Sequence, residues 1–143
     1  MILYLDTSAL VKLYVDEPGR EAVLKLLEES VRCATVRVAY VEARAAFARK
    51  RREGGFDTRS LRQVVDLLDA DWGAYTLVDV GESLVRRAGL LAERYGLRGY
   101  DAVHLAAALE IARAGGDVIM ACFDERLRRA ARRAKLRAPI LPT

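Results

Sequence analysis

The chain contains no asparagine, one glutamine (Gln63), one histidine (His104) and four lysines. Its 143 residues include two cysteines, Cys33 and Cys122, and three prolines. Each shortage excludes something. A lone histidine rules out a metal-free ribonuclease that uses two imidazoles as acid and base. Two isolated cysteines in short apolar runs, RCATV and VIMAC, form neither a disulfide framework nor a zinc spacing, and they read as buried free thiols. No apolar stretch reaches the roughly 18 residues that span a bilayer. The opening segment MILYLDTSAL has no basic residue and meets an acid at Asp6, unlike a secretory leader. A cytoplasmic protein without a membrane partner is expected. Glycine-rich phosphate signatures are missing too: neither GxxxxGK[ST] nor a glycine-rich first turn occurs. A phosphatase or dehalogenase with an aspartate nucleophile after its first strand wants a second Asp two residues later, where Ser8 stands.

Arginine is what the chain has in plenty, 20 residues in a protein of net charge +4. Its planar fork suits phosphate, and a mildly basic surface suits an anionic partner without identifying one. With 52% hydrophobic and 31% charged residues, the chain reads as globular rather than disordered, and its length suits one domain over residues 1–143.

Periodicity gives the organisation. ILYL at 2–5 is a short apolar run of the kind buried in a parallel sheet. Helical patterns follow over ALVKLYV and from Glu21 to Glu29, with Pro18-Gly19 between them. CATV at 33–36 is a strand, and a helix then runs to about Arg52, stopped by Gly54-Gly55. A helix starting at Asp57-Thr58, the strand YTLVDV at 75–80, helices over Ser83–Tyr95 and 100–114, the strand VIMACF and the helix DERLRRAARRA complete the series. APIL, between two prolines, is a candidate edge strand. Strands alternating with helices predict an α/β fold with a mostly parallel sheet of four to five strands.

Four acids stand in awkward places. Asp6 and Asp124 directly follow apolar strands, where an open α/β sheet places its ligands. Each also suits a helix N-cap. Glu42 lies on the side of its helix shared with Val38, Ala45 and Ala46, apart from the stripe Arg37, Arg44, Arg51. A carboxylate facing the core needs a cation, either Arg49 or a shared metal ion. Asp101 opens the most apolar helix of the chain and shares a face with His104, Leu105 and Ala108; it is either an N-cap or a fourth carboxylate aimed at the same pocket. If the four converge, they repel one another, and hard oxygen donors without a His or Cys cluster favour Mg²⁺ or Mn²⁺ over zinc.

DTSAL at 6–10, Glu42 in YVEARAA, YDAVHLAAA at 100–108 and FDERLRRAA at 123–131 together resemble the PIN-domain nucleases, most closely the VapC-type toxins of prokaryotic toxin–antitoxin pairs. The resemblance spans essentially the whole chain. It implies a three-layer α/β/α fold and a metal-dependent endoribonuclease leaving 5′-phosphate and 3′-hydroxyl ends. It also implies a homodimer neutralised by a cognate antitoxin. The implied catalytic and metal-binding set is Asp6, Glu42, Asp101 and Asp124, with Asp6 and Asp101 as principal ligands of Mg²⁺ or Mn²⁺. Ser8, His104 and Cys122 are expected to support these acids. The family often has Ser or Thr two residues before the last acid; here it is Cys122, a weaker donor. RNA is expected to meet Arg37, Arg44, Arg51 and Arg126. The competing reading is a PIN-like module that binds RNA or a partner without cutting, and absence of metal binding would distinguish it.

Overall fold

The computed structural model describes residues 1–143. Four strands form its sheet: β1 (Ile2–Leu5), β2 (Arg32–Val36), β3 (Thr76–Val78) and β4 (Val118–Ala121). Seven helices connect and flank them: α1 (Thr7–Lys12), α2 (Arg20–Glu29), α3 (Ala39–Arg52), α4 (Thr58–Trp72), α5 (Glu82–Tyr95), α6 (Gly99–Arg113) and α7 (Glu125–Arg133). The element order is the one the sequence pattern predicts.

All pairings are parallel, in the order β3-β2-β1-β4. Strands β1 and β2 are buried over most of their length, which accounts for their unbroken apolar runs. The chain moves outward from β1 to β2 to β3, then crosses back over β1 to lay down β4. A right-handed crossover puts its helices on one face when it runs one way and on the other face when it runs back. Helices α1 to α4 accordingly pack on each other, and α6 packs on α5, α7 and the strands β2 and β4. The result is three layers, α/β/α. The reversal of direction falls between β1 and β4, and the crevice outside the carboxyl ends of such strands is where α/β sheets bind ligands.

The tail departs from expectation. Only one bridge, Ile119 with Arg137, extends the sheet beyond β4, and residues 138–141 form no strand. Pro139 has no N–H to donate, so the ladder ends where it begins. Cys122 is buried and free as expected, but Cys33 is only half-buried on β2. Ala45, assigned to an inward face beside Glu42, is exposed. None of the helices is long and apolar enough to cross a membrane.

The loop after α1 is fastened by an unusual pairing. Two of the four lysines, Lys12 and Lys50, each hold Glu17 at 2.9 Å, joining α1, the loop and α3. Burial raises the pKa of Glu17, but the hydrogen bonds from Lys12 and Lys50 outweigh it and hold the carboxyl below its ordinary value. A depressed carboxyl stabilises the fold above the unfolded-state pKa and loses that contribution as pH falls through the folded-state pKa. Glu17→Gln is therefore expected to lose about 1–2 kcal/mol at neutral pH. In urea melts the gap between variant and wild type should close in acid, below the ordinary glutamate value of 4.5. An equal gap at both pH values would mean the charge does not matter.

Candidate active site

Asp6 follows β1 by one residue and Asp124 follows β4 by three. The register pairs Leu5 with Ala121, and the Asp6 N–H continues the ladder to the Ala121 carbonyl at 3.1 Å. The two acids thus leave adjacent strands at one edge. Both are N-caps as well: Asp6 Oδ1 accepts from the Ala9 N–H at 2.9 Å, and Asp124 Oδ1 from the Leu127 N–H at 2.8 Å. Capping and a role at the edge do not exclude each other, because a carboxylate has two oxygens. In each residue Oδ1 serves the helix and Oδ2 is left for a cation.

Ser8 adds a second bond to Asp6, donating to Oδ1 at 2.7 Å, and its hydroxyl accepts from the Phe123 N–H at 3.4 Å. One side chain thereby ties the end of β1 to the segment after β4. Gly19 closes over this segment with φ +97°, and a Cβ there would stand 2.6 Å from the Phe123 ring, so this position needs glycine on both counts.

Asp101 is not an N-cap. That position belongs to Arg98, and Asp101 sits in the first turn of α6, where a negative charge faces the positive end of the helix. Glu42 stands in the first turn of α3. Its partner is not Arg49, which pairs with Glu53 at 3.7 Å. Glu42 Oε1 instead accepts from the Thr7 hydroxyl at 2.8 Å and from His104 Nε2 at 3.2 Å.

His104 is the hub of a buried network. It is 2% exposed. A carboxylate oxygen only accepts, so the proton on the Glu42 side belongs to Nε2, which lies 3.1 Å from Thr7 Oγ1 as well. In the neutral ring Nδ1 then accepts from the Tyr4 hydroxyl at 2.9 Å. The network links β1, α1, α3 and α6 and fixes the orientation of Glu42.

Asp6, Asp101 and Asp124 lie within electrostatic reach of one another. Burial raises the Asp6 pKa; hydrogen bonds from the Ser8 hydroxyl and the Ala9 N–H oppose that rise, and the charge of Asp101 adds to it. Burial also raises Glu42, but hydrogen bonds from His104 and Thr7 overcome it and keep Glu42 ionised below its ordinary range. The buried Cys122 thiol is pushed far up, first by desolvation and then by Asp6 and Asp124, with Asp101 contributing. Its Sγ approaches the Asp124 backbone oxygen at 4.0 Å, not the carboxylate, so it supports that acid only weakly.

Two residues of the site were not anticipated. Thr7 fixes Glu42, and its signal was no more than the T of DTS. Arg98 spans two of the acids: Nε lies 3.2 Å from Asp101 Oδ2 and an Nη 3.4 Å from Asp124 Oδ2. A cation three residues before an acid at a helix start was the available signal. The arginines expected to meet RNA are all exposed, but they are scattered. Arg37 stands at the end of β2 with Asp79, and Arg126 reaches the Gly96 carbonyl at 3.3 Å near the acids. Arg44 lies against Tyr40, and Arg51 touches Thr58. At 1.5 Å per residue, Arg51 is roughly 14 Å along α3 from Glu42.

Residues 3–133 match the PIN domain model. The chain is a PIN-domain protein of the VapC type. It is 34% identical to Ribonuclease VapC45 of Mycobacterium tuberculosis over 136 residues, covering 95% of this chain and 93% of that protein. Ribonuclease VapC46 of the same species is 36% identical over 132 residues, covering 91% and 90%. Among solved structures, the toxin–antitoxin complex from Klebsiella pneumoniae has a similar chain, with a TM-score of 0.63 at 15% identity over 85% and 86% of the two chains. That likeness concerns the fold. In this PIN domain the acids come from two strand ends and from helices of opposite layers.

No three His, Cys, Asp or Glu side chains stand ready around one point as metal ligands. The donor set nonetheless fits a hard cation. Among the four acids, Asp101 and Asp124 share Arg98, Glu42 meets the His104 imidazole, and buried Asp6 has no ion pair and keeps its Oδ2 left over from capping. Mg²⁺ keeps several waters and takes only one or two carboxylates directly. Such an ion needs less than a closed cage.

Proposed function

We propose that the chain is a Mg²⁺- or Mn²⁺-dependent endoribonuclease acting as the toxin of a toxin–antitoxin pair in the cytoplasm. What supports this most is that Asp6 and Asp124 leave adjacent strands at one sheet edge, that Arg98 joins Asp101 to Asp124, and that Thr7, one residue after Asp6, holds Glu42. The curated relatives are named ribonucleases, and a solved chain of the same fold comes from a toxin–antitoxin complex. A cognate antitoxin and a homodimer belong to the same reading.

A bound Mg²⁺ or Mn²⁺ would lower the pKa of a water and offset charge on a scissile phosphate. Asp6 and Asp101 would hold the ion, with Glu42 and Asp124 completing the acidic set. Thr7 and His104 keep Glu42 ionised and fixed, and Ser8 holds Asp6 in place. Arg126, exposed two residues after Asp124, would meet the phosphate backbone, and Arg37, Arg44 and Arg51 would serve a longer RNA. His104 moves no proton in this scheme, because its ring is buried and committed to Tyr4 and Glu42.

Calorimetric titration of Mn²⁺ into the metal-stripped protein tests the reading. Wild type should bind, and Asp101→Ala should lose at least about ten-fold in affinity while staying folded. A folded wild type that takes up no Mn²⁺ at millimolar concentration would replace the nuclease with a module that binds without cutting.

A further inference from the structure

The only lysine or arginine paired with any of the four acids is Arg98. It joins elements that are otherwise separate, reaching Asp101 in α6 and Asp124 ahead of α7. Its side chain is 76% exposed, and each acid receives a single N–H, at 3.2 and 3.4 Å. Charge-assisted bonds are usually shorter, about 2.7–2.9 Å, and the strong arginine pairs are bidentate. The guanidinium is therefore held loosely, one donor to each carboxylate. Its backbone is better anchored: the Arg98 carbonyl accepts from the Ala102 N–H at 3.0 Å, and the neighbouring Leu97 is buried. The head group can leave without disturbing the start of α6.

We infer that Arg98 is an internal counter-ion that occupies the cation position between Asp101 and Asp124 and must be displaced before a divalent ion is held there. This rests on the metal-binding reading above. Two carboxylates from different elements repel each other, and a positive charge between them offsets that repulsion in the metal-free protein. An incoming ion does the same job with twice the charge, so guanidinium and metal compete for the same oxygens. The competition weakens metal affinity. It also couples ion uptake to the release of an exposed arginine at the mouth of the site. Arg98 is thus a positioning residue that acts through the two acids.

The test is Mn²⁺ titration by calorimetry into metal-stripped, full-length wild type, Arg98→Ala and Arg126→Ala, without RNA. Arg126 controls for general charge, since it is exposed nearby but bonds the Gly96 carbonyl rather than an acid. Arg98→Ala should bind Mn²⁺ roughly ten-fold more tightly than wild type, and Arg126→Ala should stay within about two-fold. Circular dichroism should show an unchanged fold, as the side chain is exposed and makes no capping bond. Unchanged or weaker binding by Arg98→Ala overturns the inference while leaving the nuclease reading intact. Equal tightening in Arg126→Ala overturns it as well, because the effect would then be general. Absence of Mn²⁺ binding in all three proteins overturns the nuclease reading and this inference together.

Discussion

Asp6→Asn is expected to melt later than the wild type and to cut no RNA. Asp6 is 4% exposed, and desolvation drives its pKa upward. A buried carboxylate without a matching cation destabilises the fold. Asparagine keeps what the structure needs. Its Oδ1 can accept from the Ala9 N–H and the Ser8 hydroxyl, and it caps helices as well as aspartate does. The substitution removes the charge and leaves the cap. In metal-free buffer we expect a gain of about 1–2 kcal/mol, read as a higher Tm. Cleavage in Mn²⁺ should fall by at least about 10³-fold. Added Mn²⁺ should raise the Tm of the wild type and not of the variant, since only a ligand of the native state stabilises it. An earlier melt would show that Ser8 and the Ala9 N–H already compensate the buried charge. Retained cleavage would remove Asp6 from the chemistry.

The second large effect is expected at His104, and it falls on stability. Replacing this buried ring by alanine opens a cavity and strips a partner from the Tyr4 hydroxyl, which is itself fully buried. The two costs together come to about 3 kcal/mol, a large share of the roughly 5–15 kcal/mol that holds a domain. Tyr4→Phe alone should lose about 1 kcal/mol by leaving Nδ1 without its donor. In His104→Ala/Tyr4→Phe neither orphan exists. The double variant should therefore lose about 1 kcal/mol less than the sum of the singles. Denaturant melts of the four proteins supply the cycle. Strict additivity would mean that the bond between Tyr4 and His104 contributes nothing.

The fold was legible in the sequence because short apolar runs and helical periods alternate without interruption, and parallel sheets write themselves that way. The one element predicted but not formed was the tail strand, where apolar residues beside Pro139 resembled a strand but lack a ladder donor. The acids stood out in the sequence for a different reason. A carboxylate after an apolar strand, or facing inward on a helix, contradicts its local pattern, and such contradictions gather at functional sites. Partners were harder to see. Arg49 looked right for Glu42 by spacing, yet the true partners, Thr7 and His104, lie 35 and 62 residues away in the chain. Asp101 read as a possible cap because its helix start is ambiguous by a few residues, and Arg98 claims that place. Long-range bonds of this kind have no periodicity, so the sequence carries no trace of them.

The strand order bears on the order in which the four acids come together as the chain folds. The first strand synthesised, β1, has the last, β4, as one of its two neighbours. Pairing so distant in the chain closes late, because the loop between must be ordered first. A polypeptide still leaving the ribosome carries Asp6 well before it carries Asp124. Products that end before β4 would lack Asp124 and with it the complete acidic set. The full acidic set arises only once β4 and the segment after it have docked beside β1.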